Sequence, residues 1–320
     1  MDNIYSHLIG KLQNLGEFLD RGKGQIAVLF LVLALLFLVA GLLLEHGLAL
    51  TPDSLAYREA AMNLRAGHGL SLQRLVLQEP SSYTAFTTWP PLYPSLISLV
   101  MALTKLNVEG AATLVSVLSV ALSGLMLYLL TRYAMNTAFA FLLVVVFMFH
   151  TSTLTVSAYM WSEGIFITFV LATLLFALKS RECLRFSRNY FGYSYLLISI
   201  VFVVLATYTK YIGAAFIVLP LTSAYFSGSY LKERTLKSTA IVAIYGIAMW
   251  PLFAENYSRS GYLSGANRPE SSKSLLENLS DFSVSLKDQF LDFGPIGTIL
   301  LLAVILIVAT ILVLDHLRET

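Results

Sequence analysis

Asp53, Glu163 and Lys210 each border a long apolar run, and each carries a group that can do chemistry at a membrane surface. A carboxylate in water accepts a proton from an attacking hydroxyl, and an ammonium stabilises an anion that forms beside it. Asp53 sits in Pro52-Asp53-Ser54, ahead of a good helix at 55–64, so it is read either as the N-cap of that helix or as a proton acceptor. Tyr57, four residues on, shares its helical face and turns either to a substrate or to lipid. Glu163 lies three residues into the apolar run that begins at Met160. Burying a carboxylate unpaired is costly, so Glu163 is expected to be a metal ligand, a partner for Lys210, or a first-turn residue favoured by the helix macrodipole. Lys210 stands between two apolar runs, as a cation for an anionic group or as a lysine reaching out to headgroups.

Two more groups follow. In Trp89-Pro90-Pro91-Leu92-Tyr93-Pro94 the prolines fix the backbone and start a helix, and the turn holds Trp89 and Tyr93 at the interface, where aromatic rings prefer to sit. Arg259 and Arg268 lie near a Ser-, Gly- and Asn-rich stretch that reads as a mobile connector, and both are candidates to contact an anion. His150 stands in an apolar run beside Thr151, Ser152 and Thr153, where a helix-to-helix hydrogen bond is preferred over metal ligation. The single Cys183 excludes an internal disulfide, a four-cysteine zinc site and a Cys-x-x-Cys redox motif.

The elements that must position these residues are set by composition. With 57% hydrophobic and 12% charged residues, the chain reads as an all-α polytopic membrane protein. The net charge of +2 comes from short basic clusters rather than one basic face, which gives no footprint for nucleic acid. Candidate spans fall at 25–44, 110–131, 137–156, 160–178, 191–208, 211–228, 238–254 and 294–314; the first has no cleavage site and reads as an anchor. The basic clusters at 179–188 and 232–237, with Lys11, Arg21 and Lys23, face the cytoplasm together if 91–106 lies in the interface instead of crossing, which gives about eight spans. The organisation expected is a cytoplasmic segment at 1–24, a transmembrane module at 25–254 whose outer loop 45–109 carries interfacial helices, an outer loop at 255–293, and a last helix with a short tail at 294–320. Nearly every unusual polar group then lies on the outer side.

The residues on that side resemble a known family. Asp53-Ser54-Leu55-Ala56-Tyr57 with Ala60, Leu64, Gly67 and Gly69, followed by Trp89 to Pro94, is similar to the first outer loop of GT-C glycosyltransferases, the protein O-mannosyltransferases and aminoarabinose transferases. Trp161-Ser162-Glu163-Gly164, Thr209-Lys210-Tyr211-Ile212-Gly213, and Asn256-Tyr257 with Ser260, Gly261, Gly265, Arg268 and Pro269 are similar to bacterial members. The resemblance runs over about 25–270. It implies interfacial helices in the first outer loop, then a module of about seven spans. Members usually carry further spans or a soluble domain after that module, whereas this sequence ends at Thr320.

The chemistry implied is transfer of a sugar from a polyprenyl-phosphate donor to an acceptor at the outer face of a membrane, by inverting displacement, with Asp53 as general base. Because such a donor arrives within the bilayer, no nucleotide-binding domain is required. Lys210 is placed near the lipid phosphate, where the family commonly has Arg; Tyr57, Trp89, Tyr93, Glu163, Arg259 and Arg268 are placed around the substrate. A divalent metal could be held by Asp53 and Glu163, and no other cofactor is implied. The expected setting is the bacterial cytoplasmic membrane, with the acceptor a protein, a lipid or a polysaccharide. The alternatives are a non-catalytic subunit that binds polyprenyl lipid or assists assembly and, with less support, a transporter, for which neither inverted repeats nor midplane charge pairs are visible.

Overall fold

Backbone groups within a bilayer have no water to bond, so long apolar runs fold as helices. The computed structural model describes residues 47–74, 82–186, 189–227, 230–265, 273–274, 276–281 and 283–284, with isolated positions 34, 38 and 41. The chain divides into two units, Met1–Asn267 and Arg268–Thr320. The first contains, in order, α1 (Pro52–Arg65), β1 (Ser71–Arg74), β2 (Ser82–Ala85), α2 (Leu92–Thr104), α3 (Val108–Thr131), α4 (Thr137–Phe149), α5 (Thr151–Ala158), α6 (Glu163–Arg185), α7 (Asn189–Thr209), a 3-10 segment (Tyr211–Ile217), α8 (Val218–Ser227) and α9 (Leu231–Ser260). In the second, Lys273 pairs with Asp281 and Glu277 accepts from the Ser274 amide.

Among the described residues four helices are long and apolar enough to cross a membrane: α3, α6, α7 and α9. They coincide with the expected spans at 110–131, 160–178, 191–208 and 238–254, and they make the chain an integral membrane protein. The expected span at 137–156 is instead two helices, α4 and α5, bent by 53°. The break is His150, whose backbone leaves helical geometry and whose Nδ1 accepts from the Ser152 amide at 3.1 Å, capping α5. The expected span at 211–228 is a 7-residue 3-10 segment followed by the 10-residue α8. Those at 25–44 and 294–314 lie outside the described residues.

The segment at 91–106 forms α2, whose 13 residues rise only about 20 Å, short of a hydrocarbon core of about 30 Å. It therefore cannot cross as one helix, and its Leu99 and Leu103 remain exposed. Between α1 and α2 stands an antiparallel hairpin, β1 with β2 in the register Ser71↔Ala85 to Arg74↔Ser82, which the sequence reading had not anticipated. It is anchored to α1, where Asn63 Nδ2 donates to Ser71 O at 2.8 Å.

Small hydroxyl residues join the helices. Thr168 of α6 donates to Ser119 O of α3 at 2.9 Å and meets Ser123 Oγ at 2.8 Å, Ser199 of α7 donates to Thr173 O at 2.9 Å, and Ser223 of α8 donates to Ala177 O at 2.7 Å. Where lipid surrounds helices, close packing and such bonds replace the hydrophobic drive that holds soluble bundles. One close approach is Gly213, where an added Cβ would lie 2.5 Å from the backbone of Ala206 and Thr207. That approach lets the chain reverse at the end of α7, with Lys210 N bonded to Ala206 O and Gly213 N to Lys210 O, both at 2.8 Å. Gly213→Ala forces those backbones apart and is expected to cost about 1–3 kcal/mol, read as a lower melting temperature of the detergent-solubilised chain; an unchanged melt would show that the reversal is not tight.

Candidate active site

The site begins with a strap between two distant segments. Ala49 N donates to Ala158 O at 2.7 Å and Met160 N donates to Ala49 O at 3.2 Å, so the chain ahead of α1 runs as a short parallel bridge against the chain ahead of α6. Trp161 Nε1 adds a bond to Thr51 Oγ1 at 2.9 Å, and its ring stacks on Tyr159. Thr51, in extended geometry, is the N-cap of α1: its hydroxyl accepts from Ser54 N at 3.3 Å, and Pro52 takes the first helical position, which suits a residue without an amide proton. The capping role considered for Asp53 therefore belongs to Thr51. Asp53 sits in the first turn of α1, exposed, and makes no hydrogen bond or ion pair to a described residue.

One turn on, Tyr57 is 3% exposed and turns inward, neither to solvent nor to lipid. Its hydroxyl meets Ser162 Oγ at 3.2 Å, and its ring touches Phe86, Trp89 and Tyr93, with centroids 6.0, 5.8 and 5.0 Å away. Each such ring pair adds about 0.5–1.5 kcal/mol beyond area burial, so Tyr57 locks the Trp89 to Pro94 turn against α1. Trp89 is half-buried and Tyr93 fully buried. The Tyr93 hydroxyl has no hydrogen-bond partner among the described residues. Burial holds this phenol well above the ordinary tyrosine range, and the neighbouring Tyr57 and Glu163 push it the same way, so it stays a proton donor.

Ser162 precedes α6 but makes no side-chain cap, since its hydroxyl is directed to Tyr57. Glu163, in the first turn of α6, accepts from Lys210 Nζ at 2.5 Å, and the two side chains are 35% and 32% exposed. Of the three roles open to Glu163, the pairing with Lys210 is present. Lys210 itself is held in extended geometry between α7 and the 3-10 segment. The 3-10 segment is tied in turn to α9, because Asn256 Nδ2 donates to Tyr211 Oη at 2.9 Å and to Leu263 O at 2.9 Å. The turn beyond α9 closes on the Trp89 loop at Gly265, with φ of +80°, where a Cβ would meet Thr87 O.

Asp53, Tyr57, Trp89, Tyr93, Glu163 and Lys210 thus meet at one end of the helices. Arg259 pairs with Glu255 one turn earlier on the surface of α9, and Arg268 lies outside the described residues. Among the described residues no three His, Cys, Asp or Glu side chains gather as a metal cluster. Sequence reasoning missed Thr51 and Phe86. The Thr-Pro-Asp-Ser order is the signal that finds Thr51, since proline at the first helical position puts the cap on the residue before it.

No known family profile matches the chain, and no curated protein is similar to it by sequence. Among solved structures it is similar to the S. cerevisiae protein O-mannosyltransferase Pmt1–Pmt2 complex bound to the sugar donor, at a TM-score of 0.51 and 18% identity, covering 71% of this chain and 34% of that one. The fold is therefore shared with part of that protein O-mannosyltransferase. A second structure, ArnT from Cupriavidus metallidurans bound to undecaprenyl phosphate, gives a TM-score of 0.49 at 14% identity, over 71% of this chain and 42% of that one. The chain thus spans between a third and a half of the length of these GT-C structures.

The Tyr93 hydroxyl, without a partner among the described residues, gives a test of its role. Replacing both partners of a buried hydrogen bond, or a group with none, by an apolar isostere is close to neutral. Tyr93→Phe is therefore expected to melt within about 1 kcal/mol of the parent chain; a larger loss would reveal a structural bond at that hydroxyl.

Proposed function

We propose that this chain is a membrane glycosyltransferase that moves a sugar from a polyprenyl-phosphate donor to an acceptor hydroxyl at the outer face of the membrane. The observation that carries the reading is the placement of the exposed Asp53 carboxylate and the Glu163–Lys210 pair at one end of the helices, joined through the Thr51–Trp161 bond. The GT-C fold, shared with a structure bound to its sugar donor, supports it.

In this reading the acceptor oxygen attacks the anomeric carbon, forming the new glycosidic bond from the face opposite the phosphate. The carbon–oxygen bond to the phosphate breaks, and the phosphate leaves with the electron pair. Asp53, with no partner to neutralise it among the described residues, takes the acceptor's proton. Lys210 stands as a point charge for the departing phosphate, and Glu163 holds it in position between substrates. Trp89 and Tyr93 line the way in for the lipid-linked sugar, with the Tyr93 hydroxyl as a donor to it. Tyr57 acts from behind them by fixing both rings. Arg259 is an outer contact to the phosphate, Arg268 is a candidate from its sequence alone, and Asp53 with Glu163 are the carboxylates that could hold a divalent metal. The setting is a bacterial cytoplasmic membrane with the site on its periplasmic side, and the acceptor is a protein, lipid or polysaccharide.

The test is release of polyprenyl phosphate from a polyprenyl-phosphate sugar by the purified chain with a membrane extract as acceptor source. Asp53→Asn should lower turnover roughly 10²–10⁴-fold while the protein still elutes as a single species. Lys210→Met should raise the donor KM, and Lys210→Arg should keep most of the activity. Full activity in Asp53→Asn would remove the base assignment. No release by the parent chain would leave the lipid-binding subunit as the better account.

A further inference from the structure

The other end of α6 carries a second arrangement that the transfer reaction does not use. Arg181 lies 18 residues beyond Glu163, about 27 Å along the helix and so close to a hydrocarbon thickness away. Around it, four cations stand over aromatic rings. Arg181 is over Phe226 at 5.6 Å, Arg234 over Tyr225 at 5.3 Å, Lys179 over Tyr195 at 5.7 Å and Lys237 over Tyr193 at 5.5 Å. These pairs join the C-terminal ends of α6 and α8 to the N-terminal parts of α7 and α9.

Tyr225 and Phe226, the two rings beneath the guanidinium groups, also wall an open groove of about 570 Å³ between α8 and α9. Leu221 and Val242 supply its apolar floor, and Thr222, Ser238 and Thr239 its few polar side chains. The volume is in the range of ligand pockets, roughly 300–1,000 Å³. Arg181 and Arg234 stand over the two walls, Phe226 and Tyr225, and the acidic residues in the flanking stretches 179–185 and 230–237 are Glu182 and Glu233, the latter paired with Lys237 at 2.6 Å. An apolar groove inside the membrane would hold any acyl chain. A groove whose own walls position two arginines at headgroup level selects for charge as well, since arginine recognises phosphate through its planar fork.

We propose that this groove is a binding site for one anionic diacyl phospholipid of the leaflet opposite the Glu163–Lys210 end, with an acyl chain along Leu221, Tyr225 and Val242 and its phosphate between Arg181 and Arg234. The stacking of each guanidinium on a groove ring pre-orients it, so the headgroup meets cations whose freedom is already reduced.

The experiment is native mass spectrometry of the full chain released from bilayers containing equal phosphatidylglycerol and phosphatidylcholine. One phosphatidylglycerol should remain bound, and the Arg181→Gln, Arg234→Gln double variant should lose it by about tenfold or more, from about 1 kcal/mol per basic residue. Val242→Trp, which fills the groove and keeps the charges, should lose it too, which guards against a double variant that fails to fold. Arg185→Gln, one turn on and over no described ring, should retain it. Equal retention of phosphatidylcholine, an equal loss in Arg185→Gln, full retention in Val242→Trp, or a second copy of the chain in place of the lipid would each overturn the proposal.

Discussion

The geometry at the Asp53 end of the helices depends on the strap between Ala49–Thr51 and Ala158–Trp161. Two backbone bonds and one indole bond tie the start of α1 to the start of α6, which are over a hundred residues apart in sequence. Without them, Asp53 would sit on a polar helix whose first turn has no tie to α6, the nearest bonds being those of Tyr57 to Ser162 and of Arg58 to Glu109 further along. With them, the carboxylate at the head of α1 and the carboxylate at the head of α6 are placed by the same few atoms. The Tyr57–Ser162 bond then repeats the link one turn further along, so the two helix starts are held at two points and cannot pivot independently.

The second constraint is aromatic. Tyr57, Phe86, Trp89 and Tyr93 form one packed group among α1, α2 and the start of α6. Rings give large contact area with few rotamers, so the turn after the hairpin is stiff even though its prolines donate no hydrogen bonds. The cost falls on Tyr93, whose hydroxyl is buried without a described partner. A buried donor left unmatched in one state is a reason for that residue to meet an acceptor in another.

Much of this was legible in the residues. The spans α3, α6, α7 and α9 follow from length and hydropathy alone, and the pairing of Glu163 with Lys210 follows from the expense of leaving a carboxylate unpaired beside lipid. What was not legible depends on contacts between segments far apart. Tyr57 shares a helical face with Asp53, yet whether that face looks in or out is decided by Ser162 and Phe86. A cap on α1 was weighed at Asp53 and not at Thr51 because the preference for aspartate at caps was considered without the proline beside it. The break at His150 stayed hidden because histidine, threonine and serine in an apolar run satisfy both a continuous helix and a capped restart. The hairpin was missed because its two strands are only 4 residues each.

The 30 residues of α9 extend for about 45 Å, half again the depth of a hydrocarbon core. Asn256, which grips Tyr211 beside Lys210, rides near its tip. The helix acts as a stilt: its reach, passed on through one amide, fixes how far along the bundle the lysine stops.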